Sequence, residues 1–321
     1  MNETVVVTGA SGFAGSHLVD LLVQDHQHVI GWRHRGTDPS RDDPADAWMA
    51  VDILDPQAVR TAIATTRPAR IYHCAGAADT GQSWLQAAKT LETNVLGTHH
   101  VLEAIRAERL NTRVLVPGSA LVYRPSDQPL AEDAVIGPRS PYATSKLAQE
   151  LLGVRAAQED ALPVFLTRSF NHLGPRQDPS FAASSFARQL ARIEARLDEP
   201  VIHVGNLDAR RDLTDVRDVV RAYRDIMARG RAGRVYNVCS ERAYPIAEIL
   251  QRLVALVRVR VDIQTDAARM RPNDVPLVLG DARRIRDEVA WTPTISIDRT
   301  LNDLLNYWRG HVREDSDPPR P

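Results

Sequence analysis

Two cysteines in 321 residues are too few for a disulfide framework, and both Cys74 and Cys239 sit in apolar runs that read as buried free thiols. The formal net charge is −1, so no global field selects nucleic acid or a membrane surface. No apolar run approaches the roughly 20 residues of a membrane span. No signal peptide precedes the first apolar run, so the cytoplasm is the expected location. Internal repeats and low-complexity linkers are missing. His73 has no second histidine or carboxylate at metal-ligand spacing, so it reads as a packed strand residue and no metal is expected. What remains is ordinary soluble composition, 43% hydrophobic and 25% charged, with length for one large or two modest domains.

The first apolar run, Thr4 to Thr8, is β-branched throughout, as in a strand covered on both faces. Gly9, Gly12 and Gly15 follow in a G-x-x-G-x-x-G turn, with Phe13 inside it, and a helix is predicted from about Gly12 to Gln24. Strand, glycine turn and helix form a phosphate-binding opening, in which backbone N–H groups approach a pyrophosphate. His28 to Trp32 reads as the second strand. A ribose 2′-hydroxyl calls for a carboxylate at its end and a 2′-phosphate calls for arginine. Arg33 and Arg35 stand there, with no carboxylate before Asp38. NADP(H) is therefore the expected cofactor, with NAD(H) as the second choice.

A third strand ends at Val51-Asp52-Ile53, which places Asp52 and Ile53 near an adenine ring. Arg70 to Ala78 reads as a fourth strand whose small exit residues, Ala75 and Gly76, let a cofactor lie against the backbone. One long amphipathic helix is expected from Trp84 to about Glu108, carrying Asn94 to brace the site through a water. Val114 to Ser119 and Leu162 to Arg168 continue the alternation. The predicted class is α/β, a Rossmann-type doubly wound parallel sheet with ligands at the strands' carboxyl ends.

Pro141 to Glu150 reads as the start of a helix, with proline in its first turn. Tyr142 and Lys146, four apart, share a face. A lysine ammonium near a phenol lowers the phenol's pKa and makes it a proton donor near neutral pH. Ser119, closing a strand, is placed to bind the same substrate oxygen. After Arg168 the pattern changes: Asn171 to Pro175 breaks the strand, a helix runs from about Phe181 to Leu197, and an arginine-rich loop precedes a helix at about Thr214 to Arg229. Arg211 and Arg271 in loops, and Arg188 on the first of these helices, are suited to bidentate contact with a diphosphate. The expected division is residues 1–168 with about 213–239 as the cofactor domain. Residues 169–212 and 240–315 form a smaller α/β substrate lobe, and 316–321 are a tail.

In this order, Gly9-x-x-Gly12-x-x-Gly15, Asn94, Ser119 and Tyr142-x-x-x-Lys146 resemble the extended short-chain dehydrogenase/reductase superfamily, whose members include NAD-dependent epimerases and dehydratases. The C-terminal half, with Ser169 to Pro175, Val204 to Leu207, Arg211 to Asp218 and Val235 to Ser240, is similar to its GDP-sugar branch of 4-keto-6-deoxy-D-mannose reductases and 4,6-dehydratases. The resemblance implies a GDP-linked sugar as substrate and Ser119, Tyr142 and Lys146 as the catalytic set. It implies Asn171, Arg211 and Arg271 near the diphosphate and Arg188 near the base. It also implies a homodimer through a four-helix bundle begun near Trp84 and Tyr142. A 4,6-dehydratase of this branch carries a carboxylate two residues after the catalytic hydroxyl, where this chain has Leu121. A combined epimerase-reductase carries a cysteine just after the serine, where this chain has Ala120. The expected activity is reduction of the C4 ketone of a GDP-4-keto-6-deoxy-hexose by NADPH to GDP-D-rhamnose. A C4-epimerase with bound NAD, a 4,6-dehydratase and a non-catalytic NADP-sensing or scaffold protein are the alternatives.

Overall fold

A computed structural model describes residues 3–34, 44–269 and 275–312. Its N-terminal part contains β1 (Thr4–Thr8), α1 (Phe13–Gln24), β2 (His28–Arg33), β3 (Ala47–Ala50), α2 (Pro56–Thr66) and β4 (Arg70–His73). Next come α3 (Gln82–Leu85), α4 (Ala87–Leu91), a π-turn at Glu92–Leu96, α5 (Gly97–Ala107) and β5 (Arg113–Ser119). A 3₁₀ turn at Ala120–Val122 leads towards α6 (Pro141–Glu159), then β6 (Val164–Ser169) and β7 (Asn171–Leu173). The remainder is α7 (Ala182–Glu194), β8 (Val201–Val204), β9 (Arg210–Asp215), α8 (Val216–Arg229), β10 (Val235–Val238) and β11 (Ala243–Pro245). It ends with α9 (Ile246–Val254), β12 (Asp262–Thr265), β13 (Leu277–Val278), α10 (Arg283–Val289) and α11 (Ile297–His311).

Seven parallel strands form the main sheet in the order β10-β6-β5-β4-β1-β2-β3. The β-branched run of β1 shows why. Val5 and Val7 join one buried layer with Leu18, Leu22, Val219 and Tyr223. Val6 joins the layer on the other face with Ile63, Val101 and Ile105. Alternate residues of one strand thus feed two cores, which requires helices on both sides. The strand order reverses at β1, so the crevice at a doubly wound sheet's switch point opens between the ends of β1 and β4.

A smaller four-stranded sheet joins β11, β9, β13 and β7, beside a third core made by α7, α9 and α11. Here the sequence expectations need correction. The arginine-rich segment holding Arg211 is not a loop but the central strand β9, paired with β7, β11 and β13. Asn171 to Leu173 does not simply break a strand; it forms β7 beside β9. The expected long helix from Trp84 to Glu108 is interrupted, with two short helical pieces and the π-turn preceding α5. The third strand ends at Ala50, so Asp52 lies in the turn after it, its carboxylate accepting from the Leu54 N–H at 2.9 Å. Cys74 and Cys239 are free thiols.

Candidate active site

The glycine turn is built by close backbone contact. Gly9 has φ +62°, and a Cβ there would lie 2.7 Å from the backbone of Ala75 at the exit of β4. A Cβ on Gly15 would lie 2.1 Å from the Gly9 carbonyl oxygen. Neither backbone can retreat, so both positions demand glycine. Gly12 caps α1 with no side-chain hydrogen bond, and the helix's first turn, which opens with Phe13, carries no acidic residue. Its N–H groups and dipole therefore face the crevice uncompensated, and this cradle fits a dinucleotide pyrophosphate. The Phe13 ring stacks on His172 with centroids 5.7 Å apart. Arg33 closes β2; Arg35 lies outside the described residues.

Across the crevice, the exit of β4 is held by Asn94. The Asn94 side chain is fully buried. Its Oδ1 accepts from the Ala77 N–H at 2.8 Å, and its Nδ2 donates to the Ala77 carbonyl at 3.1 Å and to Ser145 Oγ at 2.8 Å. The brace is direct, with no water needed. The π-turn widens one helical turn so that this side chain faces inward, as such turns do at functional sites. Gly76 fits beneath it: a Cβ there would sit 2.8 Å from Asn94 Oδ1. Ile53 packs against Gly97, where a Cβ would meet it at 2.6 Å.

Ser119 ends β5, and its Oγ accepts from the Leu121 N–H at 3.2 Å. Ser140 caps α6 by accepting from the Ala143 N–H at 3.1 Å, and Pro141 opens the helix. The cap sets Tyr142 in the first turn, where its phenol lies close enough to Ser119 for the serine to act on its pKa. Burial raises the Tyr142 pKa and the neighbouring Ser119 hydroxyl opposes it. The expected lowering by Lys146 is not found: burial sets the direction, and Lys146 is not among the groups that shift this phenol. Lys146 is itself held down at about 8 by burial. Leu121 lies in the 3₁₀ turn beside Ser119, so no carboxylate stands at that position.

Asn171 opens β7 and is exposed. Arg211, on β9 of the smaller sheet, donates to the Val275 carbonyl at 2.6 Å, and Arg188, on α7, lies over the Trp308 ring at 5.7 Å. Arg271 lies outside the described residues. Gln149, Thr98 and Ser145, which no motif spacing marks, are all fully buried and hydrogen-bonded around Lys146 and Tyr142. A polar residue on the buried face of a helix three places after Lys146 was the available signal. Among the described residues no cluster of metal-ligating side chains occurs, and no helix is long and apolar enough to cross a membrane.

The family model for GDP-mannose 4,6 dehydratase matches residues 6–304. The chain belongs to this family. Within the GDP-mannose 4,6 dehydratase family and its kin, GDP-6-deoxy-D-mannose reductase of Pseudomonas aeruginosa is 34% identical over 98% of this chain and 100% of its own. GDP-mannose 4,6 dehydratase 1 of Arabidopsis thaliana is 24% identical over 95% of this chain and 89% of its own. The solved structure of RMD from Pseudomonas aeruginosa complexed with NADPH superposes with a TM-score of 0.86 at 32% identity, covering 97% of this chain and 100% of that one. The shared architecture is the extended short-chain dehydrogenase/reductase fold.

Proposed function

We propose that this protein reduces the C4 ketone of a GDP-4-keto-6-deoxy-hexose with NADPH, giving GDP-D-rhamnose. The observation that carries the reading is the Ser119–Tyr142 pair at the crevice, with Leu121 where a dehydratase needs a carboxylate. The name of the 34%-identical relative supports the sugar and the nucleotide. Gly9, Gly12, Phe13 and Gly15 would hold the pyrophosphate, Arg33 and Arg35 the 2′-phosphate, and Asp52, Ile53, Ala75 and Gly76 the rest of the cofactor. NADPH supplies a hydride to C4. Ser119 and Tyr142 hydrogen-bond the ketone oxygen, where negative charge develops. A phenol whose pKa is raised stays protonated at neutral pH, so Tyr142 holds its proton until that oxygen accepts it. The Lys146 ammonium then stabilises the phenolate. Asn171, Arg211 and Arg271 would anchor the nucleotide diphosphate and Arg188 would sit near the base, so that remote binding positions C4.

The same reading includes a cytoplasmic homodimer. Trp84, Leu85 and Leu151 are 56%, 81% and 58% exposed. They lie on α3 and α6, which pack together and would pair with a second copy as a four-helix bundle. The deciding experiment supplies GDP-mannose, GDP-4-keto-6-deoxy-D-mannose and UDP- or dTDP-linked ketosugars separately with NADPH, following NADPH oxidation and the product by NMR. Turnover of the GDP-ketosugar alone is expected. Conversion of GDP-mannose to a 4-keto sugar would overturn the argument from Leu121. Turnover confined to the other nucleotides would overturn the GDP assignment.

A further inference from the structure

Lys146 stands at the end of a buried polar column. Its ammonium donates to Gln149 Oε1 at 2.5 Å, and Gln149 Nε2 donates to Thr98 Oγ1 at 2.7 Å. The Thr98 hydroxyl donates to the Asn94 carbonyl at 2.7 Å. His73 Nε2 lies 3.1 Å from the same hydroxyl, and its Nδ1 lies 2.9 Å from Thr8 Oγ1. Thr8 Oγ1 accepts the Ala75 N–H at 3.0 Å, which ends the column at the cofactor crevice. Thr8, Thr98 and Gln149 are 0% exposed, His73 1% and Lys146 9%.

The proton positions in this column follow from counting. A hydroxyl has one hydrogen and two lone pairs. The Thr98 hydrogen goes to a carbonyl, which only accepts, so Thr98 must accept from both Gln149 and His73. Gln149 therefore turns its NH₂ to Thr98 and its carbonyl oxygen to Lys146. Lysine is a donor only, so the far end of the column demands the same orientation independently. His73 must carry its proton on Nε2 and accept at Nδ1 from the Thr8 hydroxyl. A ring used in this way is neutral, and burial with the nearby Lys146 charge holds the His73 pKa down at about 3.

We propose that Gln149 is a positioning residue that presents a buried acceptor to the Lys146 ammonium, and that Thr98 and His73 lock its amide in the one orientation that does so. The proposal rests on the reading of Lys146 as a cofactor and phenolate ligand. The titratable groups facing Lys146 are Cys74 and His73 from β4 and its exit, and Tyr142 from its own helix. Burial pushes the Cys74 thiol up to about 12, so it stays protonated; His73 stays neutral and Tyr142 is raised. None supplies an anion at neutral pH. The Gln149 carbonyl is thus the acceptor that the ammonium meets directly, at 2.5 Å.

The test measures NADPH binding by tryptophan fluorescence between pH 6 and 10, for the unaltered protein, Gln149→Met and Gln149→Glu. Removing the acceptor lowers the lysine pKa, so in Gln149→Met the loss of affinity at alkaline pH should begin about one pH unit lower. Gln149→Glu adds a negative partner, so the same loss should begin at higher pH. Opposite shifts from two substitutions at one buried position cannot come from a packing defect. Unmoved or same-direction limbs overturn the proposal while leaving the cofactor reading intact. No NADPH binding by the unaltered protein overturns both. A measurement needing no folded variant is long-range ¹⁵N–¹H NMR of the histidine rings. It should find two rings as neutral Nε2–H tautomers throughout pH 5 to 9, His73 and also His17, whose Nε2 donates to the Pro175 carbonyl at 2.8 Å and whose pKa burial lowers to about 4; a single such ring overturns the lock.

Discussion

Replacing Asn94 by alanine tests whether the exit of β4 depends on one side chain. The substitution removes three hydrogen bonds, two to Ala77 and one to Ser145. A typical intramolecular hydrogen bond contributes about 1 kcal/mol net, and a buried group left unpaired costs about 1–3 kcal/mol. Ser145 keeps a partner, because its hydroxyl donates to the Tyr142 carbonyl at 2.7 Å. The Ala77 N–H loses its acceptor. Asn94→Ala should therefore lower unfolding free energy by about 3 kcal/mol. Urea unfolding of the cofactor-free protein reads this as a lower midpoint at unchanged slope.

A second readout separates local support from general stability. The segment that Asn94 holds, Gly76 and Ala77, borders the crevice that takes the cofactor. NADPH affinity should fall at least tenfold under conditions where the variant is still folded. Asn94→Asp is the control. It keeps an acceptor for the Ala77 N–H, loses both donations and buries a carboxylate, so it should be no more stable than the alanine variant. A loss below about 0.5 kcal/mol in Asn94→Ala, the low end for one hydrogen bond, would refute the assignment of Asn94 as the brace.

Tyr142→Phe should cut ketone reduction by roughly 10² or more while leaving NADPH affinity nearly unchanged, as steady-state kinetics and fluorescence titration will read. Replacing Arg33 and Arg35 together by alanine should abolish a preference for NADPH over NADH of about tenfold or more, since charge-assisted bonds contribute roughly 1.5–3 kcal/mol; equal affinities in the unaltered protein would refute the cofactor choice. Trp84→Asp with Leu85→Asp should turn a dimer into a monomer in sedimentation velocity, with far-UV circular dichroism preserved; an unaltered protein that sediments as a monomer would refute the helical interface.

The main sheet was legible because its strands are apolar runs bounded by small residues. β1 needs both faces covered, and Val5, Val6 and Val7 say so without help. β9 could not be read in that way. Its sequence, Arg-Arg-Asp-Leu-Thr-Asp, buries Asp212, Thr214 and Asp215 rather than an apolar stripe. Those polar groups are tolerable only because distant residues meet them: Ser240 donates twice to Asp212, and Thr300 donates to Asp215. A strand defined by its partners carries no local signature. The π-turn at Asn94 is hidden for a related reason, since a five-residue adjustment leaves the helical period of the surrounding apolar residues nearly intact. Motif spacing singles out Ser119, Tyr142 and Lys146 as candidates. It could not find Gln149, whose meaning depends on Thr98 and His73 arriving from other elements.

That dependence gives the polar column an order of tolerance opposite to that of the apolar layers. In a hydrophobic core, shape rules: Thr98→Val would be the gentle substitution, and Thr98→Ser, which deletes a methyl, would cost about 1 kcal/mol. At Thr98 the hydroxyl accepts from Gln149 and His73 together. Valine fills the same volume and leaves both donors buried without an acceptor, at about 1–3 kcal/mol each. Serine keeps the hydrogen and both lone pairs. Thr98→Val should therefore be the less stable variant, by about 1–5 kcal/mol relative to Thr98→Ser, the range left after the serine's lost methyl is set against two stranded donors. It should also weaken NADPH binding at alkaline pH, because a freed Gln149 amide no longer has to face Lys146 with its oxygen. Urea midpoints for the two variants decide the first point and fluorescence titration the second. If Thr98→Val proves as stable as Thr98→Ser, the hydroxyl is not the junction of the column and the proton order deduced from it fails.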